Sequence, residues 1–234
     1  MGTDINLCVE IKERNSEDWR PILVPNPLYD KADPESNPYS PSRTYNGRNR
    51  DLFAILAGMG NQVVGPGGNR YDKFTIISRP RGLPPDVSQE VRRAYEILQA
   101  GYDGCDDDCF YASWLTIREI LEFDWDQVTK EKEMYHITEY EYGDLLRGEP
   151  RRLNRNIDAS KIRDIPRSEM DQILSGELPR EDGAVYFTQI ELNRTYRECI
   201  SPFLEFCDYL DFQFSQGSNA ERGSNVRIVF WFDF

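Results

Sequence analysis

The sequence predicts an α+β fold with a mixed or antiparallel central sheet, helices packed mainly on one face, and a long proline-rich loop. Residues 4–12 alternate apolar and polar side chains, which is the pattern of a half-buried strand. Residues 226–233 are apolar, β-branched and aromatic, as in a strand covered on both faces. Residues 87–100 place apolar side chains three and four positions apart, as an amphipathic helix does.

The N-terminal half adds a hairpin, a loop and a further helix. Residues 19–24 are expected to return as the second strand of a hairpin, because prolines follow them. Residues 26–49 are rich in Pro, Ser, Asn and Tyr and predict a long loop, which in a compact domain is usually functional or disordered. Residues 51–57 predict a short helix. Asp86 is the expected N-cap of the helix at 87–100, with Gln89 as its reciprocal partner.

The middle of the chain contains the clearest helix start. Thr116 and Glu119 form a T-x-x-E capping box, which predicts a helix over residues 116–123. Residues 128–142 mix charged residues with tyrosines and suit either a strand or a helix. Residues 147–167 are strongly basic and are most simply a solvated loop.

The last third of the chain predicts one strand and two helices. Ser168 is the expected cap of a short helix that Gly176 ends. Residues 185–192 predict a strand, and residues 195–210 a helix that accommodates Pro202 in an early turn.

These elements predict a single α+β domain over residues 1–234, because the sequence shows no internal repeat and no clean boundary. The sheet is expected to contain residues 4–12, 185–192 and 226–233, with the last strand beside the first. The helices at 87–100, 116–123 and 195–210 are expected to pack on one face of it.

The net charge of −13 excludes several partners. A field of this sign repels phosphate backbones and anionic membrane surfaces, so we expect no nucleic-acid or membrane binding. The charge also suits a protein that mimics nucleic acid and occupies a basic partner, although solubility alone explains it. The five scattered cysteines and the absence of a secretory leader or membrane-length apolar run predict a cytoplasmic protein.

Residues for familiar catalytic or metal chemistry are scarce. His136 is the only histidine and stands near no nucleophile motif, so we interpret it as an ordinary residue. Cys105 and Cys109 lack a second ligand pair, and Asp106–Asp108 lack the alternating pattern of a calcium loop. We therefore predict no metal, no cofactor and no catalytic residue, and enzymatic activity stays uncertain.

Two arginine pairs are candidates for anion binding. Arg48 and Arg50 precede a short helix, and Arg79 and Arg81 flank a proline on a rigid turn. Guanidinium groups near a helix N-terminus suit phosphate or carboxylate. The alternative is ordinary ion pairing with the 41 acidic residues.

The order of motifs resembles a family of uncharacterised bacteriophage and prophage proteins. Members begin with Met-Gly-x-Asp-Ile-His, carry Arg-Asn-x-x-Leu-Phe and Pro-x-Arg-Gly-Leu-Pro, then His-Ser-x-Ser-Trp-Leu-Thr, and end in Phe-Trp-Phe-Asp. The matching segments here are Met1-Gly-Thr-Asp-Ile-Asn6, Arg48-Asn-Arg-Asp-Leu-Phe53, Pro80-Arg-Gly-Leu-Pro84, Phe110-Tyr-Ala-Ser-Trp-Leu-Thr116 and Phe230-Trp-Phe-Asp233. The two motif histidines are replaced by Asn6 and Phe110, so the resemblance implies binding of a polar or anionic ligand rather than acid–base chemistry.

The resemblance and the arginine pairs together predict a ligand-binding set. Its members are Asp4, Asn6, Arg48, Asn49, Arg79, Arg81, Ser113, Trp114 and Asp233. The alternative is that these residues are structural caps and core residues.

Two functional hypotheses follow. The first is a phage-encoded accessory protein in the host cytoplasm that binds a host factor or a small anionic, nucleotide-like ligand, and so counters antiviral defence. The second is a hydrolase of a nucleotide or modified base that uses Asp4, Glu10 and Asp233 as carboxylates. A virion component is a third possibility, which the lack of repeats and coiled-coil segments disfavours.

Overall fold

The computed structural model describes residues 3–33, 36–45, 47–64, 68–100, 109–130, 132–149, 157–216 and 222–233. The acidic residues 106–108 with Cys105, residues 65–67 and residues 150–156 of the basic stretch lie outside these ranges. The helices are α1 (Arg50–Ala57), α2 (Gln89–Gln99), α3 (Ile117–Glu122), α4 (Glu139–Leu146), α5 (Arg167–Ser175) and α6 (Tyr196–Phe214). The strands are β1 (Asp4–Lys12), β2 (Trp19–Pro21), β3 (Leu23–Pro25), β4 (Tyr39–Pro41), β5 (Arg43–Tyr45), β6 (Gln62–Val64), β7 (Arg70–Asp72), β8 (Phe110–Thr116), β9 (Glu133–Thr138), β10 (Ile162–Asp164), β11 (Val185–Leu192) and β12 (Val226–Asp233). No described helix is both long enough and apolar enough to cross a membrane.

The chain forms two compact units, where we had predicted one domain. Unit 1 comprises Met1–Gln127 and Thr195–Phe234, and unit 2 comprises Val128–Arg194. Neither junction carries a proline- or glycine-rich linker, so the sequence gives no composition signal there.

The central sheet of unit 1 has the strand order β2-β1-β12-β8, and β5 also pairs with β1. All of these pairings are antiparallel. The predicted position of the C-terminal strand beside residues 4–12 is confirmed, because β12 lies between β1 and β8. In this register Asp4 is opposite Asp233, Asn6 is opposite Trp231, and Glu10 is opposite Arg227.

Three strand predictions need correction. Residues 185–192 form a strand, but β11 belongs to the sheet of unit 2. Residues 19–21 return along β1 as predicted, whereas residues 23–25 pair with β4 in a separate two-stranded sheet. The predicted loop at 26–49 therefore contains β4 and β5, because prolines and serines are compatible with short edge strands.

Helices cover both faces of the unit 1 sheet. Residues of α1, α3 and α6 share one core cluster with Leu7, Ile228 and Phe230 of the sheet. Helix α2 instead packs Val91 near Trp231 on the other face. The prediction of α2 on the common face was wrong, since a single apolar stripe identifies which side of a helix is buried but not the surface that it covers.

The helix ends confirm one predicted cap and replace two others. Thr116 and Glu119 form the capping box of α3. Ser88 rather than Asp86 is the N-cap of α2, because Asp86 instead binds an arginine of β12. Pro166 rather than Ser168 precedes α5, which has no side-chain cap and ends at Gly176 as predicted.

Unit 2 is a three-stranded sheet with two helices. The order is β10-β11-β9, with β10 and β11 parallel and β11 and β9 antiparallel. Residues from α4 and α5, including Tyr142, Met170 and Ile173, form a core with Ile137 and Tyr186 of the sheet. The ambiguous segment 128–142 thus contains both a strand and the start of a helix.

Candidate functional site

The first group of predicted site residues lies at one end of the unit 1 sheet, where Asp4 is opposite Asp233. Arg48 donates from Nη2 to Asp4 Oδ2 at 2.7 Å and also from Nε to Asp4 Oδ1. This charge-assisted bond lowers the pKa of Asp4 below its usual value. The charge of Arg48 is therefore already compensated by a carboxylate.

Asn49 stabilises the fold at the neighbouring position. Its Oδ1 accepts the Leu52 backbone N–H at 3.1 Å as the N-cap of α1, and its Nδ2 donates to the Cys199 carbonyl at 2.9 Å. Both polar atoms of this side chain are therefore used in structural contacts, as expected for a helix cap rather than a ligand-binding residue.

Asn6 and Trp231 lie side by side on the sheet face that carries α2. Asn6 is 3% exposed and Trp231 is fully buried. Asn6 Nδ2 and Trp231 Nε1 have no hydrogen-bond acceptor in the described part of the chain. These are two adjacent buried donors without acceptors among the described residues, and neither side chain lines the unit 2 cleft considered below.

The second predicted group converges around Trp114. The Arg81 guanidinium lies 4.9 Å from the centroid of the Trp114 ring, and the Arg81 backbone N–H donates to Ser113 Oγ at 3.2 Å. Arg81 Nη2 also donates to Glu119 at 2.6 Å, so this arginine too is ion-paired. Arg79 is exposed two residues away.

The three carboxylates of the hydrolase hypothesis do not converge. Glu10 is fully buried, and it accepts bonds from Arg227 Nε and the Ser88 backbone N–H, both at 2.8 Å. It lies six positions along β1 from Asp4, which corresponds to about 20 Å at roughly 3.3 Å per residue. Asp4 and Asp233 are therefore neighbours, whereas Glu10 belongs to a different, buried ion pair.

Sequence reasoning missed a polar pair on unit 2. His136 Nε2 hydrogen-bonds to Asp164, and the Phe187 ring lies 4.7 Å from the imidazole. These residues come from β9, β10 and β11, so their proximity depends on strand pairing and leaves no local signal. Both partners of the pair are largely exposed.

A cleft of about 600 Å³ in unit 2 brings several charged residues together. We call this the unit 2 cleft. Three acidic and three basic residues line it among the described residues, together with a tyrosine and small or apolar side chains. They are Glu139, Asp144, Asp158, Arg147, Lys161, Arg180, Tyr140, Gly143, Ile157, Leu174 and Val185.

Helix α4 positions most of the polar lining. Its capping box, formed by Thr138 and Glu141, fixes the first turn and thereby Glu139. Asp144 follows about one turn later, is fully buried, and accepts a bond from Arg147. Asp158 begins a short 3₁₀ helix, and the Ser160 backbone N–H that it accepts lowers its pKa.

Glu139 is the unusual member of this lining. It is 1% exposed, and neither carboxylate oxygen accepts a hydrogen bond from a described residue. Arg180 Nη2 lies 2.5 Å from Oε2, which makes an ion pair whose angles fall outside hydrogen-bond geometry. Glu139 is therefore a buried carboxylate whose charge Arg180 compensates but whose oxygens lack hydrogen-bond donors among the described residues.

The described residues contain no cluster of three or more His, Cys, Asp or Glu side chains placed to hold a metal ion. Comparison of the chain with protein-family models, curated proteins and solved structures gave no match. The choice among the candidate sites therefore depends on their geometry and charge. By that measure we favour the unit 2 cleft, because Arg48 and Arg81 of unit 1 already pair with Asp4 and Glu119.

Proposed function

We propose that the protein is a phage-encoded accessory protein that binds a small anionic, nucleotide-like ligand in the unit 2 cleft. The observation that carries this proposal is Glu139, a buried carboxylate without a hydrogen-bond donor among the described residues, on the wall of a 600 Å³ cleft. In the host cytoplasm such a protein would sequester a nucleotide signal used in antiviral defence.

The size and charge of the cleft support this ligand class. Small-molecule sites commonly enclose about 300–1,000 Å³, which spans a nucleotide. Lys161 is exposed at the cleft, where its charge also helps to lower the pKa of Asp158, so a phosphate would meet its ammonium beside that carboxylate. Arg147 and Arg180 add positive charge but are bound to Asp144 and Glu139.

The same lining favours binding over turnover. Its described lining contains no histidine, cysteine or serine, and two of its three carboxylates, Glu139 and Asp144, are paired with arginines. The hydrolase alternative has less support, because Glu10 is sequestered by Arg227 about 20 Å from Asp4.

Native mass spectrometry of the protein purified from its host tests the proposal. We expect a bound mass that denaturation releases intact and that identifies as a nucleotide. A bare protein that also binds no nucleoside monophosphate by calorimetry would refute ligand binding and favour a protein partner.

A charge variant tests the location of the site. Lys161→Ala should weaken nucleotide binding roughly tenfold or more, since a hydrogen bond to a charged group contributes about 1.5–3 kcal/mol. Lys132→Ala removes the same charge from an exposed position of unit 2 outside the cleft lining and should leave affinity unchanged. Equal effects of the two substitutions would place the ligand elsewhere.

A further inference from the structure

The C-terminal part of α6 has one buried side and one exposed side. Leu204, Cys207 and Leu210 belong to the core cluster that α6 shares with the unit 1 sheet. Tyr209 and Phe212 lie three positions apart on the other side and are 56% and 79% exposed. Single apolar residues scattered over a surface are normal, whereas neighbouring aromatic rings on one helix face are typical of protein interfaces, where aromatic side chains are enriched.

The charges on this exposed side are acidic. Glu205 lies four positions before Tyr209, and Asp208 lies four positions before Phe212, so each exposed ring has a carboxylate one helical turn away. Both carboxylates belong to exposed residues. The sequence of α6 contains no lysine or arginine after Arg197. We call Glu205, Asp208, Tyr209 and Phe212 the α6 face.

The combination of rings and carboxylates restricts what can cover the α6 face. The carboxylates repel nucleic acid and anionic membranes, as does the net charge of −13. A twofold contact with a second copy would place the same acidic patch against itself, and such like-charge contacts are unfavourable. A protein surface with an apolar centre and lysine or arginine side chains around it suits both the rings and the carboxylates. We propose that the α6 face binds such a basic surface on a partner protein.

This interaction does not depend on the proposed nucleotide binding. The α6 face belongs to unit 1, whereas the residues that line the cleft belong to unit 2. A protein that binds no nucleotide would therefore leave the partner proposal standing, and a protein without a basic partner would leave nucleotide binding standing.

Site-specific photo-crosslinking of the full chain in the host cell tests the α6 face. The photoreactive residue p-benzoylphenylalanine replaces Gln213, which is exposed beside Phe212, so that both rings of the face are kept. The control carries it in place of Gln99, an exposed glutamine of α2 in the same unit. We expect mass spectrometry to find a protein adduct at position 213, absent at position 99, whose crosslinked segment is rich in lysine and arginine. No adduct above the control, a lipid adduct, an adduct with a second copy, or a crosslinked segment without basic residues would each overturn the proposal.

Two matched pairs of variants, checked for folding by circular dichroism, test what the face recognises. Phe212→Ala should lower the yield of the adduct at position 213 by tenfold or more, because a few buried aromatic side chains supply most of the affinity of an interface. Leu28→Ala, at a position that is 83% exposed in unit 1, should leave the yield unchanged. Glu205→Lys should lower the yield at least fivefold by like-charge repulsion, whereas Glu96→Lys on an exposed position of α2 should not. Equal yields within either pair would overturn the proposal.

Discussion

The buried ion pair of unit 1 gives the sharpest stability prediction. Arg227 is 2% exposed and binds Glu10, which is fully buried, as well as Asp86 Oδ1 at 2.7 Å and the Asp86 carbonyl at 3.1 Å. Arg227→Met keeps most of the apolar stem and removes the charge. Glu10 then keeps only the Ser88 backbone N–H as a donor.

Removing one partner of a buried ion pair costs about 3–5 kcal/mol, because an uncompensated charge stays buried. Arg227→Met keeps the apolar stem and its packing, so we expect it to lower the free energy of unfolding by roughly 3–4 kcal/mol, in the lower part of that range.

Urea denaturation followed by tryptophan fluorescence measures this loss in unit 1 alone. All four tryptophans lie in unit 1, and the Trp19 ring is 4.0 Å from the Arg227 guanidinium. With a slope of about 2 kcal/mol per molar urea, the midpoint should fall by roughly 1.5–2 M at pH 7. The double variant Glu10→Gln with Arg227→Met should recover most of that loss. A loss below about 1 kcal/mol, or a double variant no more stable than Arg227→Met, would refute the buried-charge explanation.

The remaining predictions concern backbone strain, a helix cap and acid stability. Gly223→Ala should destabilise unit 1 by at least about 1 kcal/mol more than Gly60→Ala. Both glycines have positive φ, but only at Gly223 would a Cβ lie 2.8 Å from a backbone nitrogen. Urea melts detected by tryptophan fluorescence compare the two variants. Thr138→Ala removes the α4 capping box and should cost about 1 kcal/mol. Hydrogen exchange of the α4 amides should accelerate, and unchanged exchange would contradict the cap. Burial raises the pKa of Glu119, but the hydrogen bonds from Arg81 and Thr116 outweigh this and lower it overall. The contribution of ionised Glu119 to the free energy of unfolding is therefore complete above its unfolded-state pKa of about 4.3, and it is lost as the pH falls through its lower folded-state pKa. The wild type should then lose more stability than Glu119→Gln between pH 5 and pH 3 in tryptophan-detected urea melts, and equal losses would contradict this.

Local sequence patterns predicted the individual helices and strands of this fold better than they predicted which strands pair and which sheet face each helix covers. The continuous apolar run of β12 predicted burial on both faces, which both core clusters of unit 1 bear out. Residues 185–192 form a strand, as predicted. A strand pattern does not say which sheet the strand joins, because that choice depends on contacts between residues distant in sequence. The same limit explains why α2 was assigned to the wrong face.

The unit 2 cleft was missed for a different physical reason. Glu139 in the sequence is one of many charged residues in a tyrosine-rich segment, and its significance comes from burial that only tertiary packing creates. One local signal was nevertheless present. The T-x-x-E pattern at Thr138 and Glu141 predicts a helix start, and a helix from there places Tyr140, Asp144 and Arg147 three and four positions apart on one side. Recognising that cap would have divided the ambiguous segment 128–142 into a strand followed by a charged helix.

The net charge of −13 and an anionic ligand are compatible because they act over different distances. Screening at physiological ionic strength limits exposed charges to about 8 Å, so most of the acidic surface does not act on a ligand inside a cleft. Within the unit 2 cleft the described lining is balanced, with three acidic and three basic side chains. Asp144 and Glu139 are each bound to an arginine, and Lys161 lies near Asp158. If the proposed function is right, the few charges of the cleft, rather than the overall charge, would select the ligand.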